Sequence, residues 1–161
     1  MARYFQVLSP NPQIEGTYIL DADASGDFYN GQVAAMTSNS GTPEWIKANG
    51  TAPAVGLFYD QGLLVEELYD RVGLADEQLI NMLKGSRVAV VTGRFVASMS
   101  VDYFNAGPTP GALIYDAEDG TLTTVSTAHA QVGQCLGSNT VEGTTTVYEI
   151  AFNFGGALGV G

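Results

Sequence analysis

Short runs of apolar and β-branched residues return roughly every ten to fifteen positions along this chain, each closed by a cluster of Gly, Pro, Asn or Asp. That rhythm leaves room for strands and tight turns but not for β-α-β alternation, so it predicts an all-β sandwich or barrel. The candidate strands are "TYIL" at 17–20, "GQVAAM" at 31–36, "WIKA" at 45–48 and "AVGLFYD" at 54–60. Further candidates are "SRVAVVTGRFVASM" at 86–99, "ALIYD" at 112–116, "TLTTVS" at 121–126 and "TTTVYEIAFNF" at 144–154. In the 86–99 run, Val88, Val90 and Thr92 alternate with Ala89, Val91 and Gly93, so both faces are apolar and a central strand is expected. "TSNSGTPE" and "NGTAP" read as turns, and "GQCLG" as a step into another.

One stretch breaks the pattern. Residues 61–85 are rich in Leu, Glu and Asp, and Leu79, Ile80 and Leu83 form a helical stripe. Asp76 and Glu77 suit a helix start, Lys84 its last turn and Gly85 its cap, so a short helix is predicted over 75–84 within an insertion. The segment 63–69 is ambiguous between helix and strand. A single β-domain is expected over 16–154, with a Gly-rich tail at 155–161.

The first fifteen residues have two readings. Tyr4, Phe5, Val7 and Leu8 are too apolar to stay in water, while Pro10 and Pro12 interrupt any long ladder. The segment is either an edge strand or an extended arm lying on a neighbouring subunit. In the second case those four side chains are the candidate interface residues.

Charge narrows the partners. Only 14% of residues are charged, yet the net charge is −11. Such a surface repels phosphate backbones and anionic bilayers, so neither nucleic acid nor membrane is an expected partner. The N-terminus lacks the apolar core of a signal peptide and no stretch is long enough to span a bilayer, so synthesis in a cytoplasm is expected.

Chemistry-bearing residues are sparse. Cys135 is the single cysteine, which rules out an intrachain disulfide and a four-cysteine zinc site. His129 is the single histidine. A Cys135–His129 thiol dyad would need a hairpin, because six extended residues separate its members by about 20 Å. Asp21, Asp23 and Asp27 have loop spacing, but an EF-hand pattern is broken by Ser25 and by Gln32 at its closing position. Glu66, Glu67 and Asp70 read as a solvated acidic face rather than a hydrolase pair, and no phosphate-binding Gly loop is present. The expectation is a protein that is not an enzyme, with no catalytic, cofactor-binding or metal-binding residue and no cofactor.

The runs "RVAVVTGRFVASM", "PTPGALIYDAEDGTLTT", "VGQCLG" and "GTTTVYEI", preceded by "GQVAAM" and "NGTAPAVGLFYD", together resemble the phage capsid decoration (cement) protein family. The resemblance covers about 31–60 and 86–152 and consists of turn-and-strand patterns. It implies a β-barrel or sandwich that attaches to the outer surface of an assembled capsid, with the major capsid protein as partner. It also implies a homotrimer that clamps neighbouring shell subunits. Competing readings are another virion part, such as a tail-tube or head-fibre base protein, and a carbohydrate-binding β-module using aromatic side chains as its platform.

Overall fold

The computed structural model describes residues 4–21, 28–49, 52–60, 85–126, 130–141 and 143–154. The twelve strands in this part of the chain form two six-stranded sheets. The first sheet has the order β1 (Phe5–Val7), β8 (Arg94–Ser100), β12 (Thr145–Asn153), β11 (Gln131–Val141), β9 (Leu113–Asp116), β10 (Leu122–Thr123). The second has the order β2 (Gln13–Glu15), β7 (Val90–Thr92), β6 (Ala54–Phe58), β4 (Val33–Asn39), β5 (Thr42–Lys47), β3 (Ile19–Leu20). All neighbours are antiparallel except β3 and β5. The all-β expectation holds. The predicted helix at 75–84, most of the 61–85 insertion and the 155–161 tail lie outside the described residues.

Alternation along the strands builds the core. Phe95, Ala97, Met99, Ile150, Phe152, Cys135 and Ile114 point from the first sheet towards Val33, Ala35, Leu57 and Val91 of the second. Phe95, Phe152 and Phe154 stack there, with ring centroids 5.1 to 6.0 Å apart. The second sheet is apolar on its other face too: Ala34, Trp45, Val55, Phe58 and Val90 join Leu20 and Phe28 in a second buried cluster. Trp45 satisfies its indole by donating Nε1–H to the Val88 carbonyl at 3.2 Å. Gly56 lies where β6 and β7 approach closely; a Cβ there would meet the Val91 carbonyl and Val90 Cγ1.

The 86–99 run is not one strand. It breaks at Gly93, whose φ is +73°, and passes from β7 in the second sheet to β8 in the first. A bend of this kind makes a corner between packed sheets. The N-terminal segment follows the same corner on the outside. β1 pairs with β8 and β2 pairs with β7, with Pro10 and Pro12 in the connection between them.

The arm reading of residues 1–15 is therefore replaced by the edge-strand reading for the part described. The prolines do end the pairing of β1, but the chain then joins the other sheet of its own fold. Phe5 and Val7 pack on the inter-sheet core because backbone pairing with Met99 and Ala97 turns them inward.

Two turns are also shorter than the sequence suggests. β4 runs on to Asn39 and meets β5 through a two-residue turn, Ser40–Gly41. β11 continues through Gly137, Ser138 and Asn139, with a bulge between Cys135 and Gly137 absorbing the register shift against β12.

Deleting residues 2–12 removes two half-buried core side chains and uncovers the edge of β8. Urea unfolding should show a loss of about 2–3 kcal/mol, half the value for full burial of Phe and Val. Gly56→Ala should cost about 1–3 kcal/mol through overpacking, read as a lower urea midpoint at unchanged slope.

Candidate docking surfaces

Two surfaces stand out once the strands are in register. The first is the open edge of β11. β9 pairs with β11 from Gln131 to Gln134, and two hydrogen bonds at Cys135 extend that contact, its N–H donating to the Ala112 carbonyl and its carbonyl accepting the Gly111 N–H, both at 2.8 Å. From Leu136 to Val141 the strand has only β12 beside it among the described residues. On the far side, β8 leaves β12 after the Val147–Ser100 pair, so the hairpin tip projects beyond the sheet. Ser138, Asn139 and Thr140 are exposed in succession, which means that both faces of this ribbon meet solvent. Leu136, Gly137, Ser138, Asn139, Thr140 and Val141 carry no charge. The other sheet edges are two- or three-residue strands. A long, uncharged open edge offers a row of backbone donors and acceptors to an added strand.

The second surface is the outward face of the first sheet. Cross-strand register aligns Val96, Ala151, Gln134 and Leu113 in one row, and Leu8 extends it, its N–H bonded to the Val96 carbonyl at 2.8 Å. Leu8 and Leu113 are exposed, while Val96 and Ala151 are half-buried between their neighbours. An open groove of about 630 Å³ overlaps this face, bordered by Ser9, Arg94, Gln131, Gln134 and Asn153.

The four residues expected at an interface separate accordingly. Phe5 and Val7 face the core of their own chain. Tyr4 lies beside Ser100 at the rim and donates its hydroxyl to Gln6 Oε1 at 2.6 Å. Leu8 alone stands clearly exposed on the outward row, 43% open to solvent. Sequence reasoning missed the rest of that row because it follows from register between distant strands. It missed the β11 edge because Gly, Ser and Asn read locally as a turn.

The side chains considered for chemistry do not gather. Among the described residues no group of three or more His, Cys, Asp or Glu side chains converges. His129, Asp23, Asp27, Glu66, Glu67 and Asp70 lie outside the described residues, and with them the dyad, the calcium loop and the acidic cluster. Asp116 is buried and structural: its Oδ1 accepts the Ala130 N–H at 2.7 Å. Glu15 accepts the Thr17 N–H at 2.8 Å; the Thr17 hydroxyl and backbone hold its carboxyl below the usual range. Cys135 is buried, its Sγ 3.6 Å from the Gly137 carbonyl oxygen, and burial pushes its thiol up. No helix among the described residues is long and apolar enough to cross a membrane.

No family model matches the chain. No curated protein matches it either.

The raised Cys135 thiol gives a pH prediction. A buried thiol that resists ionisation stabilises the fold fully below the unfolded-state pKa of about 8.5, and that contribution falls as pH rises past it. The urea midpoint should therefore drop more between pH 7 and pH 10 for the wild type than for Cys135→Ala. In native buffer, thiol reagents should label Cys135 only at the rate of unfolding.

Proposed function

We propose that this chain is a structural virion protein that binds the outer surface of an assembled phage capsid and stabilises it by clamping neighbouring shell subunits. The observation that carries the reading is the projecting β11–β12 hairpin, with its uncharged open edge from Leu136 to Val141. An extended segment of the major capsid protein would add to this edge as a further strand. Three of six residues would turn their N–H and C=O outward, giving about six hydrogen bonds. At about 0.5–1.5 kcal/mol net each, they hold a contact firmly without needing charge attraction. The net charge of −11 supports a place on the outside of the shell, away from packaged DNA. The resemblance of 31–60 and 86–152 to capsid decoration proteins supports the same reading.

A carbohydrate-binding module is the second reading, favoured by the groove with Gln131, Gln134, Asn153 and Arg94 at its border. Against it, Tyr59 is the one aromatic side chain more than a third exposed among the described residues, and it does not line the groove. A stacking platform for sugar rings is therefore missing there.

Edge lysines oppose strand addition. The double variant Leu136→Lys/Ser138→Lys changes two exposed side chains and should fold as the wild type does. In cosedimentation with empty capsids it should bind at least about tenfold more weakly, the loss expected when one or two backbone bonds fail. Wild-type chain that does not cosediment with capsids overturns the capsid reading. Undiminished binding by the double variant overturns the role of the β11 edge. Retention on a glycan array would move the second reading ahead.

A further inference from the structure

We infer that residues 4–15 form a strap that lifts off the corner as one hinged piece, turning about Gly16, while the two sheets beneath it stay closed. The argument is one of unequal anchoring. Not one residue from Tyr4 to Gly16 is buried. Phe5 and Val7 are half-buried on the inter-sheet core, and the Phe5 ring meets Tyr59 and Tyr103 with centroids 6.1 and 6.2 Å away. In β2 nothing reaches the core: Gln13 and Ile14 are exposed and Glu15 is half-buried. The strands beneath are anchored differently. All of β7 is buried, and β8 is buried at Phe95 and from Ala97 to Ser100. Each also has a second neighbour, β6 for β7 and β12 for β8, so neither loses its place in its sheet when the strap leaves.

Two features make the strap a single piece. β2 is short and has no side-chain anchor, so it stays on β7 only while β1 holds the chain in place. Between them, Pro10 and Pro12 fix their own φ and Asn11 sits at φ +53°, so the link transmits movement instead of absorbing it. The link is tied on both sides of the bend. Ser9 Oγ accepts the Val96 N–H at 2.8 Å, and Gln13 carries its side-chain amide over Gly93. The hinge position follows. Gly16 is exposed, with open space where a Cβ would stand. Beyond it the chain is fixed, since the Tyr18 carbonyl accepts the Val88 N–H at 3.2 Å and the Tyr18 ring packs edge-on against Trp45 at 5.3 Å.

The strap's ties are also distant in sequence: Tyr4 and Ser100 lie 96 residues apart, and Ser9 and Val96 lie 87 apart. Lifting the strap returns the conformational freedom of the whole segment and gives up two half-buried side chains with their edge bonds. Lightly buried segments of this kind open before the sheets that carry them. Opening uncovers the outer edges of β8 and β7 together, one in each sheet. The strap is thus a latch over both: closed, it seals them with two short strands, and open, it presents two adjacent edges to solvent. The β11 edge takes no part, so the latch stands or fails separately from capsid attachment.

Native hydrogen exchange of the full chain, followed amide by amide, tests it. The Leu8 N–H donates to the Val96 carbonyl and the Ser100 N–H to the Tyr4 carbonyl, so both are protected only while the strap is down. They should share one protection factor with the most protected amide of β2. That factor should lie at least about a hundredfold below those of Cys135 and Phe58, whose N–H groups are bonded within the sheets. A disulfide clasp between Gln13→Cys and Thr92→Cys, directly opposite in β2 and β7, pins β2 alone; it is made with Cys135→Ala. Once oxidised, it should still raise the protection of Leu8 and Ser100 at least about tenfold over the reduced form. Where the clasp does not close, Pro10→Gly/Pro12→Gly loosens the link and should let β2 and Leu8 part by about tenfold or more. Strap amides as protected as Cys135 and Phe58 overturn the inference. So does protection that falls stepwise from Leu8 to Ser100, which is fraying from the chain end. A clasp that leaves β1 unchanged, or a glycine link that leaves β1 and β2 in step, overturns it as well.

Discussion

The corner at Gly93 is the constraint on which the rest of the structure depends. There a single run of chain stops pairing in one sheet and starts in the other, with φ at +73° and the Gly93 carbonyl accepting the Phe154 N–H at 2.8 Å. Because β7 and β8 are consecutive, the two sheets cannot be assembled independently. The N-terminal segment lies against this bend and copies it, β1 on β8 and β2 on β7. The positive φ favours glycine at this position, and a Cβ there would also displace the end of the Gln13 side chain. The phenylalanine stack of Phe95, Phe152 and Phe154 begins two residues further on and fills the space that the corner encloses.

The two sheets differ in what they face. The second sheet is buried on both sides, with Val33 and Leu57 turned to one cluster and Ala34 and Phe58 to the other. The first is buried on its inner side and, at Ser98, Ser100 and Val147, on part of its outer side, while Gln134, Arg94, Leu8 and Leu113 stand exposed on the outer rows. Among the described residues, the surfaces available for recognition therefore belong to the first sheet and its projecting hairpin, while the second sheet backs them. The unevenness explains how a chain with 45% hydrophobic residues bears only 14% charged ones. Much of its strand sequence has no solvent face that would call for charge.

The sequence made the strand texture legible, because Val, Ile, Tyr and Thr runs and their turn residues are local signals. It also made both prolines of the N-terminal segment legible as the end of a ladder, without showing which ladder. Three features were hidden. Val88 to Met99 alternates so evenly that no local signal marks Gly93 as a bend rather than a strand residue. Gly137, Ser138 and Asn139 have turn chemistry but are held extended by Glu149, Tyr148 and Val147 on β12. The outward row joins residues 8, 96, 113, 134 and 151, which only long-range register brings side by side. The exposed surfaces were thus less legible than the core, since burial leaves periodicity in a sequence and strand-to-strand register does not.

The order β1-β8-β12 carries a mechanical consequence. β1 and β12 both run antiparallel to β8, so they run in the same direction, with Phe5 and Tyr148 opposite Met99 and Val7 and Ile150 opposite Ala97. Tension applied between residue 4 and residue 154 pulls along the strands, at right angles to the hydrogen bonds that join them. The bonds from β8 to β1 and from β8 to β12 then share the load in shear, instead of opening one after another like a zip. Resistance to such a pull is a matter of unfolding rate rather than equilibrium stability. A thin sheet wired in this way can stiffen whatever it is fastened to along one axis, while remaining easy to peel along the other.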